Sequence, residues 1–418
     1  MVHSGFFTRA EAEVEVVGTT AGPPGDSGEA EVQRGYAALG YELLLPGDVL
    51  RLGGEDLTRV TAGVTDVLDE VYRRDGNLSG ERARGLAADA AGGRGLLFAL
   101  LDSGGLVVAT TAFTRVERVF PGSRVSSWEA GRIAKRPGAP PRLAAQLVRA
   151  AFGWAAGNLR EVDYLVAHAR VARAAAGRPY NGGMLGRLLA HQFIPAHAVY
   201  SNYAAQTAAE PFVWTCAPRQ PPTLARKRAG QTVHLPDDPA SRMLGAMLEE
   251  SIGARVAYAA PGHDLPPAIR PELRELTGPS PAAESLYLLT TVPVPARRTL
   301  AQPPGITLAN GARVSAGLSD RIIVEEDIAG HASSAHVLTL LRQQGFDLAG
   351  WAPSSHRYGR MALVLTRPGT VPAQSTSVAP ADLSALDHQP AAGRFLTRAL
   401  SRHPLPVART SHGLEARG

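Results

Sequence analysis

Apolar positions along this 418-residue chain recur with two periods. Between Asp56 and Arg74 they fall at Leu57, Val60, Val64, Val67, Leu68 and Val71, with charges opposite, and this spacing predicts an amphipathic helix. Ser79 is placed to cap a second helix running to Ala91. Leu96–Leu101 and Leu106–Ala112 then flank Asp102-Ser-Gly-Gly105, the signature of a hairpin. Ser126–Ala134, bounded by turn residues, reads as a strand. Arg136–Pro141 holds three prolines and Gly138, which remove ladder donors and force a bend. From Arg142, apolar residues at Leu143, Leu147, Val148, Ala151 and Trp154 mark a helix, and the apolar run Asp163–Ala167 suits a central strand covered on both faces.

The second half continues the alternation. Ser241–Ile252 is helical in pattern, and strands are expected near Leu286–Val294, Gly305–Leu308 and Arg321–Val324. Ser333–Gln344 reads as a helix closed by Gly345, followed by a hairpin of Phe346–Trp351 and Arg360–Thr366. Helices alternating with strands define an α/β (α+β) class: a mixed central sheet flanked by helices, with a second, smaller α/β domain. Composition shifts set the expected boundaries. Residues 1–48 form an arm with a short alternating run at Ala12–Val17, and 49–205 form the first domain, opened by a strand at Val49–Gly54. Residues 206–230 are a linker, 231–368 the second domain, and 369–418 a Pro-, Ser- and Ala-rich disordered tail.

Hydrophobic content of 44% is ample for two cores. A net charge of +5 raises nucleic-acid binding, but the arginines are dispersed, the densest basic piece is Ala225–Ala229, and aromatics are 6%, so stacking platforms are scarce. The lone Cys216 excludes an internal disulfide and cysteine-rich zinc sites, and it reads as a buried thiol. With no apolar leader and no run of about 18 apolar residues, the expected setting is the cytoplasm, with neither membrane nor nucleic acid as partner.

Some residues carry candidate chemistry. The turn from Arg136 into the helix at Leu143 offers free amides and a positive dipole end, where Arg136 and Arg142 could add charge to hold a phosphate; the same turn also suits an α/β core that binds nothing. His168 ends the central strand, where α/β sheets place function. Glu325-Glu-Asp327 with His331 and His336 has the composition of a metal cluster, but such a run reads as a solvated acidic loop, so no metal is expected. Gly-x-Ser-x-Gly, Walker and His-Glu-x-x-His motifs are absent.

The segment Glu129-Ala-Gly-Arg-Ile-Ala-Lys-Arg-Pro137 resembles the fourth strand of the GNAT superfamily of N-acetyltransferases, often written E-x-G-R-I-A-V-x-P, and Asn181 with Phe193 resembles its Asn-x11-Phe pattern. The resemblance spans about Val49 to Tyr203. It implies that acetyl-CoA, or another acyl-CoA, lies along the backbone of Ile133, Ala134 and Lys135, with its pyrophosphate near Arg136, Gly138, Arg142, Leu143 and Ala144, and with Asn181 contributing. Glu129 would be the general base, His168 a second base acting through water, and Tyr180 the acid in place of the usual tyrosine, which is Leu188 here; Tyr200 is the other candidate. A base on this strand suits the chemistry, because a carboxylate partly buried at a sheet cleft has its pKa raised. The loop Pro137–Ala145 departs from the family's glycine-rich loop, and the glycine before the final phenylalanine is Gln192. The sequence is also similar to acyl-homoserine lactone synthases, whose donor is often acyl carrier protein. The implied function is acyl transfer to an amine of a small molecule, in a chain that could form a homodimer. The alternative is a non-catalytic binding or regulatory protein on a degenerate fold of this kind. Ser334, twelve residues before Phe346, and the pair Gly345-Phe346 extend the resemblance to a truncated second half, as an old duplication would leave.

Overall fold

Hydrophobic periodicity becomes structure in a computed structural model that describes residues 26–73, 95–115, 127–140, 142–159, 162–171, 183–201, 210–218, 231–260, 272–275, 285–290, 305–307, 313–315, 320–354, 360–367 and 381–401. In chain order the first elements are α1 (Asp26–Ala38), β1 (Glu42–Leu44), α2 (Pro46–Arg51), α3 (Gly54–Arg73), β2 (Gly95–Leu101), β3 (Val107–Arg115) and β4 (Ser127–Lys135). Next come α4 (Leu143–Asn158), β5 (Tyr164–Arg170), α5 (Gly183–Ala190), β6 (Ile194–Ser201) and β7 (Glu210–Pro218). The later part holds β8 (Thr232–Pro236), α6 (Pro239–Ile252), β9 (Arg255–Ala259), β10 (Glu272–Glu275), β11 (Ser285–Thr290), β12 (Gly305–Thr307) and β13 (Arg313–Ser315). It closes with β14 (Asp320–Val324), α7 (Glu326–Ala329), α8 (Ser334–Gln343), β15 (Asp347–Pro353), β16 (Met361–Arg367) and α9 (Pro390–Ser401).

Among the described residues, twelve strands join one mixed sheet in the order β1-β2-β3-β4-β5-β7-β6-β15-β16-β14-β11-β10. Its edges, β1 and β10, are three and four residues long, which limits pairing with other chains. The stripe of α3 seals one face: Val60, Val64, Val67 and Leu68 pack on Leu97, Ala99, Leu101 and Val107. The opposite face meets α4 through Leu143, Leu147, Val148 and Ala151.

The strand pattern occurs twice. Across β3-β4-β5-β7-β6 the neighbours run antiparallel, parallel, antiparallel, antiparallel. Across β10-β11-β14-β16-β15 the senses are the same. Finer features recur too. β6 shifts register between Pro195 and His197, and β15 between Leu348 and Gly350. Each of these strands follows a residue with positive φ, Gln192 at 63° and Gly345 at 88°. After each, a phenylalanine amide closes the helix end: Phe193 donates to the Leu188 carbonyl at 3.0 Å and Phe346 to that of Leu341 at 3.1 Å.

The two runs meet at β6 and β15, antiparallel, through the pair His197–Gly350. Trp351 pins this seam. Its Nε1 donates to the Pro195 carbonyl at 3.1 Å, and its own carbonyl lies 3.0 Å from His197 Nδ1.

Several expectations are corrected. Val49–Gly54 is not a strand: Val49 to Arg51 belong to α2, and Gly54 begins α3. The expected arm, 1–48, contains α1 and β1, with Tyr36 and Leu43 in the core. The expected linker from 206 includes β7, which sits between β5 and β6 inside the sheet. The expected disordered tail includes α9, whose Phe395 and Leu396 are fully buried against α6, β6 and β15. Glu325 and Glu326 are buried rather than solvated, with Ser354 Oγ donating to Glu325 at 2.9 Å. Ala12–Val17 and the helix expected at Ser79–Ala91 lie outside the described residues.

Candidate active site

Two parallel strands that part company make the site. β4 and β5 pair from Ser127–Tyr164 to Ala130–Ala167. Beyond that point β4 continues beside β3 to Lys135, and β5 beside β7 to Arg170. The separation has a local cause. Between the pairs Ala112–Gly131 and Thr110–Ala134, β4 spends one residue more than β3, and Arg132 adopts φ 57°, rare for a residue with a Cβ. The bulge reverses the side-chain alternation. Ala130 and Ala134, an even number apart, lie in the two different cores on opposite faces of the sheet. Thr111, fully buried, donates its hydroxyl to the Gly131 carbonyl at 3.2 Å and braces the bulge.

Where the strands part, Glu129 and His168 meet. His168 Nδ1 is 3.0 Å from Glu129 Oε1, with the imidazole 12% and the carboxylate 22% exposed. His168 is flanked by Trp214, ring centroids 4.9 Å apart, and by the edge of Phe212 at 5.6 Å. Trp214 in turn stacks on His197 at 5.7 Å and 10°. From the second run, the Arg321 guanidinium lies 5.7 Å from the Trp214 ring. A carboxylate beside an imidazole, one end walled by aromatic rings and the other open to water, can accept a proton and hold it.

The loop after β4 is a tight turn. Ala139 donates to the Arg136 carbonyl at 3.2 Å, with Pro137 and then Gly138 at φ 89° between them, the arrangement a type II turn requires. Lys135 Nζ donates to the Ala139 carbonyl at 2.9 Å and clamps it. Arg136 does not reach the helix start. Its Nε donates to the Val107 carbonyl at 2.7 Å and its Nη1 lies 3.4 Å from Glu70, so it ties β4 to β3 and α3. Arg142 is exposed at the N-cap of α4, with no side-chain cap. Leu143 donates to the Pro140 carbonyl, while the amides of Ala144 and Ala145 have no acceptor among the described residues.

Of the residues singled out from sequence, Glu129 and His168 therefore converge. Ile133, Ala134 and Lys135 follow them along β4, past its last pair with β5. Gly138, Arg142, Leu143 and Ala144 line the turn into α4, and Arg136 turns away. Tyr180 and Asn181 lie outside the described residues. Sequence reasoning missed Trp214, His197 and Arg321. The alternation Phe212-x-Trp214 was a signal, as was an arginine in the otherwise apolar Arg321-Ile-Ile-Val324. Among the described residues no group of three or more His, Cys, Asp or Glu side chains could hold a metal, and no helix is long and apolar enough to cross a membrane.

Neither a family model nor a curated protein matches the chain. Solved structures similar to it include a GNAT-family acetyltransferase from Bacillus anthracis, 11% identical, covering 42% of this chain and 95% of that one, with TM-score 0.30. A ribosomal-protein-S5-alanine acetyltransferase from Vibrio fischeri is 13% identical over 44% of this chain and 94% of its own, with TM-score 0.31. A spermidine N-acetyltransferase from Vibrio cholerae, solved with CoA and spermine, is 10% identical over 43% and 96%, with TM-score 0.30.

Proposed function

We propose that the chain is an N-acyltransferase that moves an acetyl or longer acyl group from acyl-CoA, or from acyl carrier protein, to an amine of a small molecule. The observation that carries this reading is the Glu129–His168 contact at the point where β4 leaves β5. The donor's pantetheine amides suit the edge of β4 beyond Ala130, where its pairing with β5 has ended, as an added strand. The first-turn amides of Ala144 and Ala145, with Arg142, suit its phosphates.

In this reading Glu129 takes a proton from the acceptor ammonium, directly or through one water. His168 holds the carboxylate in place and shares the proton. The freed amine forms a bond to the thioester carbon, backbone amides of β4 steady the developing oxyanion, and the carbon–sulfur bond breaks. The acylated nitrogen gives up its extra proton, the thiolate takes up one proton and leaves as a thiol, and the product is an amide. The test is single-turnover acetylation with acetyl-CoA and a panel of primary amines. Glu129→Gln is expected to slow the chemical step by roughly 100-fold or more, and unchanged turnover in this variant would remove the assignment.

A further inference from the structure

The two runs differ where the parallel strands part. Matching Ala167–Thr215 to Ile322–Leu365, each next to a register shift, puts Ala130 in the place of Tyr287 and Gly131 in that of Leu288. β4 loses β5 after Ala130–Ala167, whereas β11 stays with β14 through Leu288–Ile323 and Leu289–Val324. The ladder between β10 and β11 is also even, without a bulge, and Leu273 stands there in the place of Thr111.

Strand alternation fixes which way each peptide points. Val171 donates to the Pro211 carbonyl at 2.9 Å, so on β5 the main-chain groups of Ala169 and Ala167 face β7 and those of His168 and Val166 face β4. On β4, Ala130 then faces β5 and Gly131 faces β3, where its carbonyl takes the Thr111 hydroxyl at 3.2 Å. The peptide after Gly131 is trans, so the Arg132 N–H points the opposite way, into the gap that β5 has left. In an unbroken ladder its acceptor would be the His168 carbonyl, but pairing ends one residue earlier.

We propose that Thr111 is a positioning residue for acyl transfer: its hydroxyl holds the Gly131–Arg132 peptide so that the Arg132 amide meets the thioester oxygen. Gly131 has no side chain and Arg132 sits at φ 57°, so this peptide lacks the usual steric restraint, and the hydroxyl supplies it. A donor set in advance acts most strongly on the charge that the thioester oxygen gains in the transition state. The proposal rests on the acyltransferase reading for the amide's task and on the Thr111–Gly131 bond for its own. Thr110 is a matched control. It too is buried and donates its hydroxyl at 3.2 Å, but to the Phe98 carbonyl, so it braces β3 against β2.

The test gives the full chain acetyl-CoA labelled isotopically at the thioester carbonyl and reads the infrared stretch of that carbonyl when bound. Single-turnover acetylation of the amine panel runs beside it, in wild type, Thr111→Val, Thr111→Ser and Thr110→Val. Thr111→Val is expected to lose most of the downward shift of the stretch and to slow the chemical step roughly 10- to 100-fold, with the half-saturating acetyl-CoA concentration unchanged. Thr111→Ser should restore most of both, and Thr110→Val should keep both. An unchanged shift in Thr111→Val, or equal losses in the two valine variants, overturns it. Hydrogen exchange at the Gly131 and Arg132 amides separates the two readings, because it needs no acetyl-CoA. Exchange should quicken in Thr111→Val and not in Thr110→Val. If that difference is seen but wild type neither binds nor uses acetyl-CoA, the hold of Thr111 on the peptide stands and the catalytic reading falls. If exchange is the same in both variants, the hold itself falls.

Discussion

Gly350 meets His197 backbone to backbone: a Cβ at 350 would stand 2.6 Å from the His197 Cα and 2.1 Å from the Ala196 carbonyl oxygen. Neither contact is with a flexible side chain, and φ is 142°, a region that L residues avoid. Gly350→Ala is therefore expected to destabilise by about 3 kcal/mol or more. Gly345→Ala, at φ 88° but with only the Arg367 side chain nearby at 3.5 Å, should cost about 1–2 kcal/mol. Chemical denaturation of both variants checks the order; equal losses would contradict the seam geometry.

Arg136 and Arg142, six residues apart, should separate cleanly in experiment. Arg136→Ala removes the tie to Val107 and Glu70 and should lower the unfolding midpoint. Arg142→Ala, on an exposed side chain, should leave stability unchanged but weaken acetyl-CoA binding about tenfold. Calorimetry alongside thermal melts reads both effects.

The fold was legible where one face of an element is apolar and the other polar. The α3 stripe and the β2–β3 hairpin emerge as expected, because burial and local turn chemistry agree there. Two features were hidden. The Arg132 bulge has no turn residue of its own, since Gly131 precedes it and the unusual φ falls on the arginine. The joining of β6 to β15 depends on partners about 150 residues apart, which no local pattern records. α9 was misread because its Ala- and Arg-rich sequence resembles the tail around it. Its buried face, Phe395, Leu396 and Leu400, becomes meaningful only against α6.

That helix supplies the next prediction. Glu250 on α6 accepts from the amides of Ala391 and Ala392 at 3.3 and 3.0 Å and so caps α9 from outside. Phe395→Ala is expected to cost about 3–5 kcal/mol, and a chain ending at Pro368 should fail to give a cooperative melt. A normal melt of the truncated chain would show that α9 is dispensable.

Asp238 links α6 to α8. Its carboxylate accepts from the Ala240 and Ser241 amides at 2.9 and 3.1 Å, and from Arg342 on α8. Burial alone would raise its pKa, but the Ser241 hydroxyl and amide, Arg342 and the Ala240 amide together hold it below the usual carboxylate value of 3.8. A depressed folded pKa means the contribution is complete above that value and is lost as pH falls through the lower one. Asp238→Asn keeps a capping side chain but loses the ion pair. It should be less stable at neutral pH, with the gap to wild type closing in acid, as read by denaturation at pH 7 and pH 3.

The seam at His197 and Gly350 also has a consequence in time. β6 leaves the ribosome roughly 150 residues before β15 is made. At the usual pace of synthesis its outer edge stays bare for about 10–30 seconds. During that interval a nearly complete first run presents unpaired backbone to any other strand it meets. Nascent chains of this protein should therefore depend on slow, well-spaced synthesis or on a holding chaperone, a dependence that the finished molecule, with that edge sealed, no longer displays.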